Sequence, residues 1–149
     1  MGEMKDLKFW HFDTDVYGLH IGLILGPLEK CTEEWLTRKM RQAWPDRLEE
    51  DGQVELGPFD EKSYADHIVI TATDGGTFRF VRIPQFFPRG KSAAKDHAVL
   101  VHETHHLVTA ALRYLGVEGG EHDEAGAYLE ELVYEKFLNI LYKYHGVNR

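Results

Sequence analysis

Apolar and polar positions along this chain change their period several times, and each change marks an element. Residues 1–15 are polar with scattered aromatics (Phe9, Trp10, Phe12) and hold no clear period. From 17 to 25 the run YGLHIGLIL is almost continuously apolar and stops at Gly26-Pro27, which predicts a first, mostly buried strand. Thr32 then offers an N-cap oxygen ahead of Glu33 and Glu34, acids suited to the positive end of a helix dipole. Trp35, Leu36, Met40 and Trp44 follow as its core positions, and Pro45 stops the helix. Residues 46–62 are charged and carry Asp51-Gly52 and Gly57-Pro58, the punctuation of a loop.

Two strand-like runs come next, ADHIVITAT at 65–73 and TFRFVRIP at 77–84, flanking Asp74-Gly75-Gly76. That is a hairpin signal. In the second run Phe78 and Phe80 suggest an aromatic face, and Arg79, Val81 and Arg82 a more polar one. His67, near a strand start, reads as a structural or surface histidine. Residues 85–91 (QFFPRGK) form a Pro/Gly loop, in which Phe86 and Phe87 either staple the loop to the core or line a cleft mouth.

A long helical pattern runs from about 92 to 115, with Ser92 as its capping residue. On a wheel with His102 as origin, Leu100, Val101, Leu107, Val108, Ala111, Leu112 and Leu115 fall on the opposite side as a core stripe. Gly116 ends this helix and Glu118-Gly119-Gly120-Glu121 gives a flexible connection. A last helix covers about 123–144, with Leu129, Val133, Phe137, Ile140 and Tyr144 facing a core. The elements add up to a single α+β domain over residues 1–149. It has a small, mostly antiparallel sheet packed against the two long helices.

Composition narrows the partners. At 149 residues the chain has the length of one domain, and its 43% hydrophobic and 28% charged content is ordinary for a globular protein. A net charge of −8 argues against nucleic acid, whose phosphates call for clustered Lys and Arg. No apolar run approaches a membrane span, and the start of the chain shows neither an apolar signal region nor a myristoylation pattern. The single cysteine, Cys31, excludes an intrachain disulfide. These features fit a cytoplasmic protein without a membrane partner.

The chemistry concentrates in the long helix at His102-Glu103-Thr104-His105-His106, an H-E-x-x-H pattern. At about 100° per residue, His102 and His106 lie one turn apart on one face. Two imidazoles so placed can bind one metal ion. Ala98, Thr109 and Ala110 beside them leave room for a ligand, and Glu103 flanks the same arc within reach of a polarised water. A third donor is available where the last helix begins, because an antiparallel return of the chain brings Glu124 back toward the histidines. Glu121, His122 and Asp123 share that opening turn, and any of them can serve; Glu124 is favoured because it lies within the helix. Asp123 can also orient a ligand histidine from behind. Tyr128, one turn on from Glu124, either packs or steadies an oxyanion, and packing is the expectation. Two His and one carboxylate favour zinc over magnesium or calcium.

These residues resemble a family. His102-Glu103-x-x-His106 followed by Glu124 is similar to the zincin metallopeptidases of gluzincin type, and Glu124-Ala125-Gly126-Ala127-Tyr128 resembles small zincin-like proteins of phages and prophages. The resemblance covers about residues 65–145. It implies His102, His106 and Glu124 as zinc ligands, Glu103 as general base, and an edge strand, 77–83, that holds an extended peptide by strand addition. Thr109 and Leu112 stand where the metzincin pattern requires Gly and His, which excludes that branch. No His or Arg elsewhere announces itself as a transition-state stabiliser; His105 and Arg113 lie near the metal face and can equally be solvated.

The expected activity is therefore zinc-dependent hydrolysis of a peptide or protein substrate. The alternative from another class is a catalytically silent binding protein on a zincin scaffold, occupying a host or partner protein. A third possibility is a helix hairpin without metal, whose histidines merely face water.

Overall fold

The computed structural model describes residues 6–48, 54, 56, 64–71, 76–117 and 124–149. They form an α+β fold of four strands, three α-helices and a short 3-10 helix. The chain divides into two compact units, Met1–Pro84 and Gln85–Arg149. Among the described residues no helix is long and apolar enough to cross a membrane.

The first unit is built on a sheet of β1 (Lys8–Asp13), β2 (His20–Leu25), β3 (Asp66–Thr71) and β4 (Thr77–Ile83), in the order β1-β2-β4-β3. The predicted hairpin is present: β3 pairs antiparallel with β4, Ile68 opposite Phe80. Its turn, 72–75, lies outside the described residues. A second antiparallel pair joins β1 to β2, and a parallel pairing of β2 with β4 unites them. Two of three pairings are thus antiparallel.

Three expectations change here. Residues 8–13 form a strand where the sequence shows no period. The apolar run from 17 begins as a turn, with Tyr17 and Gly18 at positive φ (64° and 57°), and becomes strand only at His20. Thr14 closes this turn, its amide donating to Leu19 and its hydroxyl oxygen accepting from Leu19 N–H, both at 2.9 Å. Third, β4 is an interior strand with both neighbours paired, so 77–83 offers no free ladder to an added peptide. Both of its faces are buried, including Arg79 and Arg82, in place of the expected polar face.

α1 (Glu33–Ala43) starts at Thr32, whose hydroxyl accepts the Trp35 amide at 3.1 Å, a cap as predicted. Its Leu36 and Met40, with Trp44 after its end, pack against Ile24, Ile70, Phe78 and Phe80 of the sheet. Of the predicted loop 46–62, Val54 and Leu56 are tied to α1, their amides donating to the Thr37 hydroxyl (2.8 Å) and Glu33 Oε1 (2.9 Å).

The second unit pairs α2 (Ala93–Tyr114) with α3 (Glu124–Tyr144). His97 meets Tyr142 and His105 meets Glu130, so the helices run antiparallel. The buried stripe of α2 runs through Leu100, Thr104, Leu107, Val108, Ala111 and Leu112; Val101 and Leu115, expected in it, are exposed. In α3 it follows the i, i+4 row Leu129, Val133, Phe137 and Leu141, drifting past Ile140 and Tyr144. Asp96 is fully buried and holds the entry loop, accepting from Phe87 N–H (2.9 Å), Gln85 Nε2 (3.2 Å) and the Ser92 hydroxyl (3.1 Å). Ser92 stands at the N-cap, but its hydroxyl serves Asp96 and caps no helix amide. Phe86 is buried with its ring 4.7 Å from His97, which makes it a staple.

Candidate metal centre

The middle of α2 carries His102, Glu103 and His106 with the geometry that helical spacing demands. His102 and His106 are exposed, and their Nε2 atoms converge to 3.0 Å. Two imidazole nitrogens on one tetrahedral zinc, with bonds of about 2.0–2.1 Å, stand about 3.3 Å apart. The pair therefore fits a shared metal within a few tenths of an ångström. The two nitrogens are also within hydrogen-bond distance of each other, with donor and acceptor set by the tautomers.

Glu103 takes the flank between the histidines and the core stripe. Its residue exposure is only 8%, and its Oε1 lies 4.0 Å from His102 Nε2. A carboxylate held beside a solvent-facing donor pair can accept a proton from a water between them. His105 looks away from the pair and toward α3, its Nδ1 within 2.7 Å of Glu130 Oε1. Sequence reasoning missed Glu130; its place is set by helix register, which the local pattern does not disclose.

Glu124 opens α3 with an exposed side chain. The contacts of 97 with 142 and of 105 with 130 set Glu124 level with the last turn of α2, past His106 along the axis. Among the described residues no group of three or more His, Cys, Asp or Glu side chains is arranged to hold a metal ion. Glu121, His122 and Asp123 lie outside the described residues. Tyr128 is 56% exposed and does not pack into the core. His67 is half-buried in β3, in keeping with a structural role.

Other ionisable groups of the first unit serve packing. Burial pushes the Cys31 thiol up, against the opposing effect of the Arg82 guanidinium, which makes it a poor nucleophile. Arg82 makes a two-pronged ion pair with Asp66, at 2.7 and 2.5 Å. Burial of Arg82 opposes its charge, but the Asp66 carboxylate outweighs that and raises its pKa. At the end of the sheet, Asp13 Oδ1 accepts from His20 Nδ1 (2.7 Å) and Trp44 Nε1 (2.9 Å). Burial works against the Asp13 charge, yet these two bonds win and hold its pKa below the usual carboxylate value.

No family model matches this chain, and no curated protein or solved structure matches it.

Proposed function

We propose that the chain is a zinc-dependent metallopeptidase, with His102 and His106 as metal ligands and Glu103 as the general base. The observation that carries this reading is the 3.0 Å convergence of the two Nε2 atoms, with the Glu103 carboxylate held beside them. The third ligand in this reading is Glu124 at the start of α3, with Glu121, His122 or Asp123, just before it in sequence, as the alternatives. A cytoplasmic location and a peptide or protein substrate go with the same reading.

A bound zinc ion supplies Lewis acidity toward a water and the scissile carbonyl. The residues do the rest. His102 and His106, on one rigid helical turn, fix where that chemistry takes place. Glu103 takes the proton of the attacking water and returns it to the departing amine nitrogen, so the C–N bond breaks without release of an amide anion. Its burial on the core side of the helix limits the rotamers of the carboxylate and keeps it aimed at the donor pair.

The test combines metal content with turnover. Elemental analysis of protein purified without added metal is expected to find near-stoichiometric zinc in wild type and Glu103→Gln, and none in His102→Ala or Glu124→Ala. Cleavage of a peptide library is expected from wild type alone and to stop with chelator. Zinc without cleavage would turn the assignment to the silent binding protein; no zinc in wild type, even after incubation with zinc, would end the peptidase reading and leave an interaction protein.

A further inference from the structure

Two side chains flank the histidine pair, one on each side. At about 100° per residue, Glu103 stands about 80° round α2 from the midline of His102 and His106, and His105 about 80° the other way. Along the axis His105 falls between the two, and its ring centroid is 6.2 Å from that of His106. Its Nδ1 lies 2.7 Å from Glu130 Oε1 of α3. An ionised carboxylate only accepts, so Nδ1 carries the ring proton and Glu130 fixes the tautomer. Nε2, across the ring, is then a hydrogen-bond acceptor. Among the described residues it has no hydrogen-bonding partner, and the side chain is 65% exposed. An exposed ion pair of this kind adds little to stability. An imidazole oriented by a carboxylate, beside a pair of metal donors, is an arrangement that serves a substrate.

We propose that His105 binds the backbone of the substrate, its Nε2 accepting a peptide N–H beside the bond to be cut, and that Glu130 is the positioning residue that keeps Nε2 an acceptor. The inference rests on the metallopeptidase reading and adds to it a group that recognises the peptide main chain. Backbone N–H groups are the donors that every extended peptide carries. An extended chain at about 3.3 Å per residue covers the 6.2 Å between the His105 and His106 rings in about two residues. The N–H therefore lies within two residues of the scissile bond. Three sectors of α2 then divide the work. Glu103 meets the attacking water on one flank, the pair holds the metal at the centre, and His105 holds the peptide on the flank nearest α3.

The experiment reads the tautomer and the backbone contact separately. Heteronuclear NMR of the imidazole nitrogens, on the full chain without metal, is expected to find the neutral His105 ring protonated at Nδ1 in wild type and shifted toward Nε2 in Glu130→Ala. Zinc-loaded wild type, His105→Phe and Glu130→Ala are then given one cleavable peptide and its versions N-methylated, one at a time, at the amides within two residues of the scissile bond. One methylation is expected to lower kcat/KM of wild type about fivefold, the worth of a neutral hydrogen bond. The same methylation should cost less than about twofold in His105→Phe and Glu130→Ala. Glu130→Gln, whose amide oxygen still accepts from Nδ1–H, is expected to restore the wild-type discrimination. Bound zinc, by elemental analysis, should be equal in all of them. A proton on Nε2 in wild type, equal methylation losses in wild type and His105→Phe, or loss of zinc from His105→Phe would each overturn the proposal. Cleavage with equal losses would leave the peptidase reading standing. No cleavage of any peptide by zinc-bearing wild type would end that reading, and this inference with it, whichever tautomer is found.

Discussion

At the scale of single residues, two positions in the sheet are fixed by their neighbours. A Cβ on Gly22 would stand 2.3 Å from Phe80 Cδ1 and 2.6 Å from Cε1, inside any tolerable contact. Phe80 is fully buried and cannot swing aside. Gly22→Ala is expected to cost about 1–3 kcal/mol, as overpacking does. That corresponds to a melting point lower by several degrees. Adding Phe80→Leu should recover part of the loss, and strictly additive losses in that cycle would show the clash to be absent. Asp13 gives a pH-dependent case. Its folded-state pKa lies below the ordinary value because His20 and Trp44 bond its charged form against the opposing effect of burial. The stability from this charge is therefore complete above about pH 4, the ordinary aspartate value, and is lost as pH falls through the lowered one. Asp13→Asn should lower the urea midpoint at pH 7 and lower it less near pH 3. An equal deficit at both pH values would show that the charge contributes nothing.

Among the elements, those with a short-range pattern were legible. The hairpin of β3 and β4, the Thr32 cap and the two long helices follow from alternation, capping chemistry and helical period. β1 escaped because its row beside β2 carries Phe9, His11 and Asp13, ending on a polar pair with His20 that breaks the apolar alternation. The interior position of β4 escaped for another reason. It depends on parallel pairing with β2, a strand far away in sequence, and no local pattern encodes that choice. Exposure of Val101 and Leu115 is likewise set by what covers each flank of α2. Asp96 shows how a polar residue can still be read once its partners are known. Spaced four from Ser92, it accepts three hydrogen bonds and fixes the loop ahead of α2. Asp96→Ala strands the Phe87 amide and is expected to cost about 1–3 kcal/mol. Faster amide exchange at Phe87, with α3 unaffected, would locate the loss in the entry loop, and unchanged exchange there would refute the role.

On the scale of the whole molecule, the candidate site is half legible from sequence. H-E-x-x-H places His102, Glu103 and His106 beside one another because a helix translates spacing into position. The position of the proposed third donor depends on the connection between two helices, which spacing alone does not settle. Thermodynamic linkage can supply what geometry leaves open. Zinc that binds the folded chain at a hundredfold excess over its Kd adds about 2.7 kcal/mol to stability. The melting point of wild type should therefore rise by several degrees on adding zinc, and that of His106→Ala should not. An equal rise in both would show that zinc binds elsewhere. Hydrogen exchange then tells how far the effect reaches. Slowed amides around His102–His106 are required if α2 holds the metal. Slowing confined to Gln85–Arg149 would mark the two compact units as unfolding separately, whereas equal slowing in β2 and β4 would make them one cooperative unit. A Glu124→Ala variant that loses both the melting shift and the slowed exchange, while keeping its metal-free stability, would place the third donor at the start of α3.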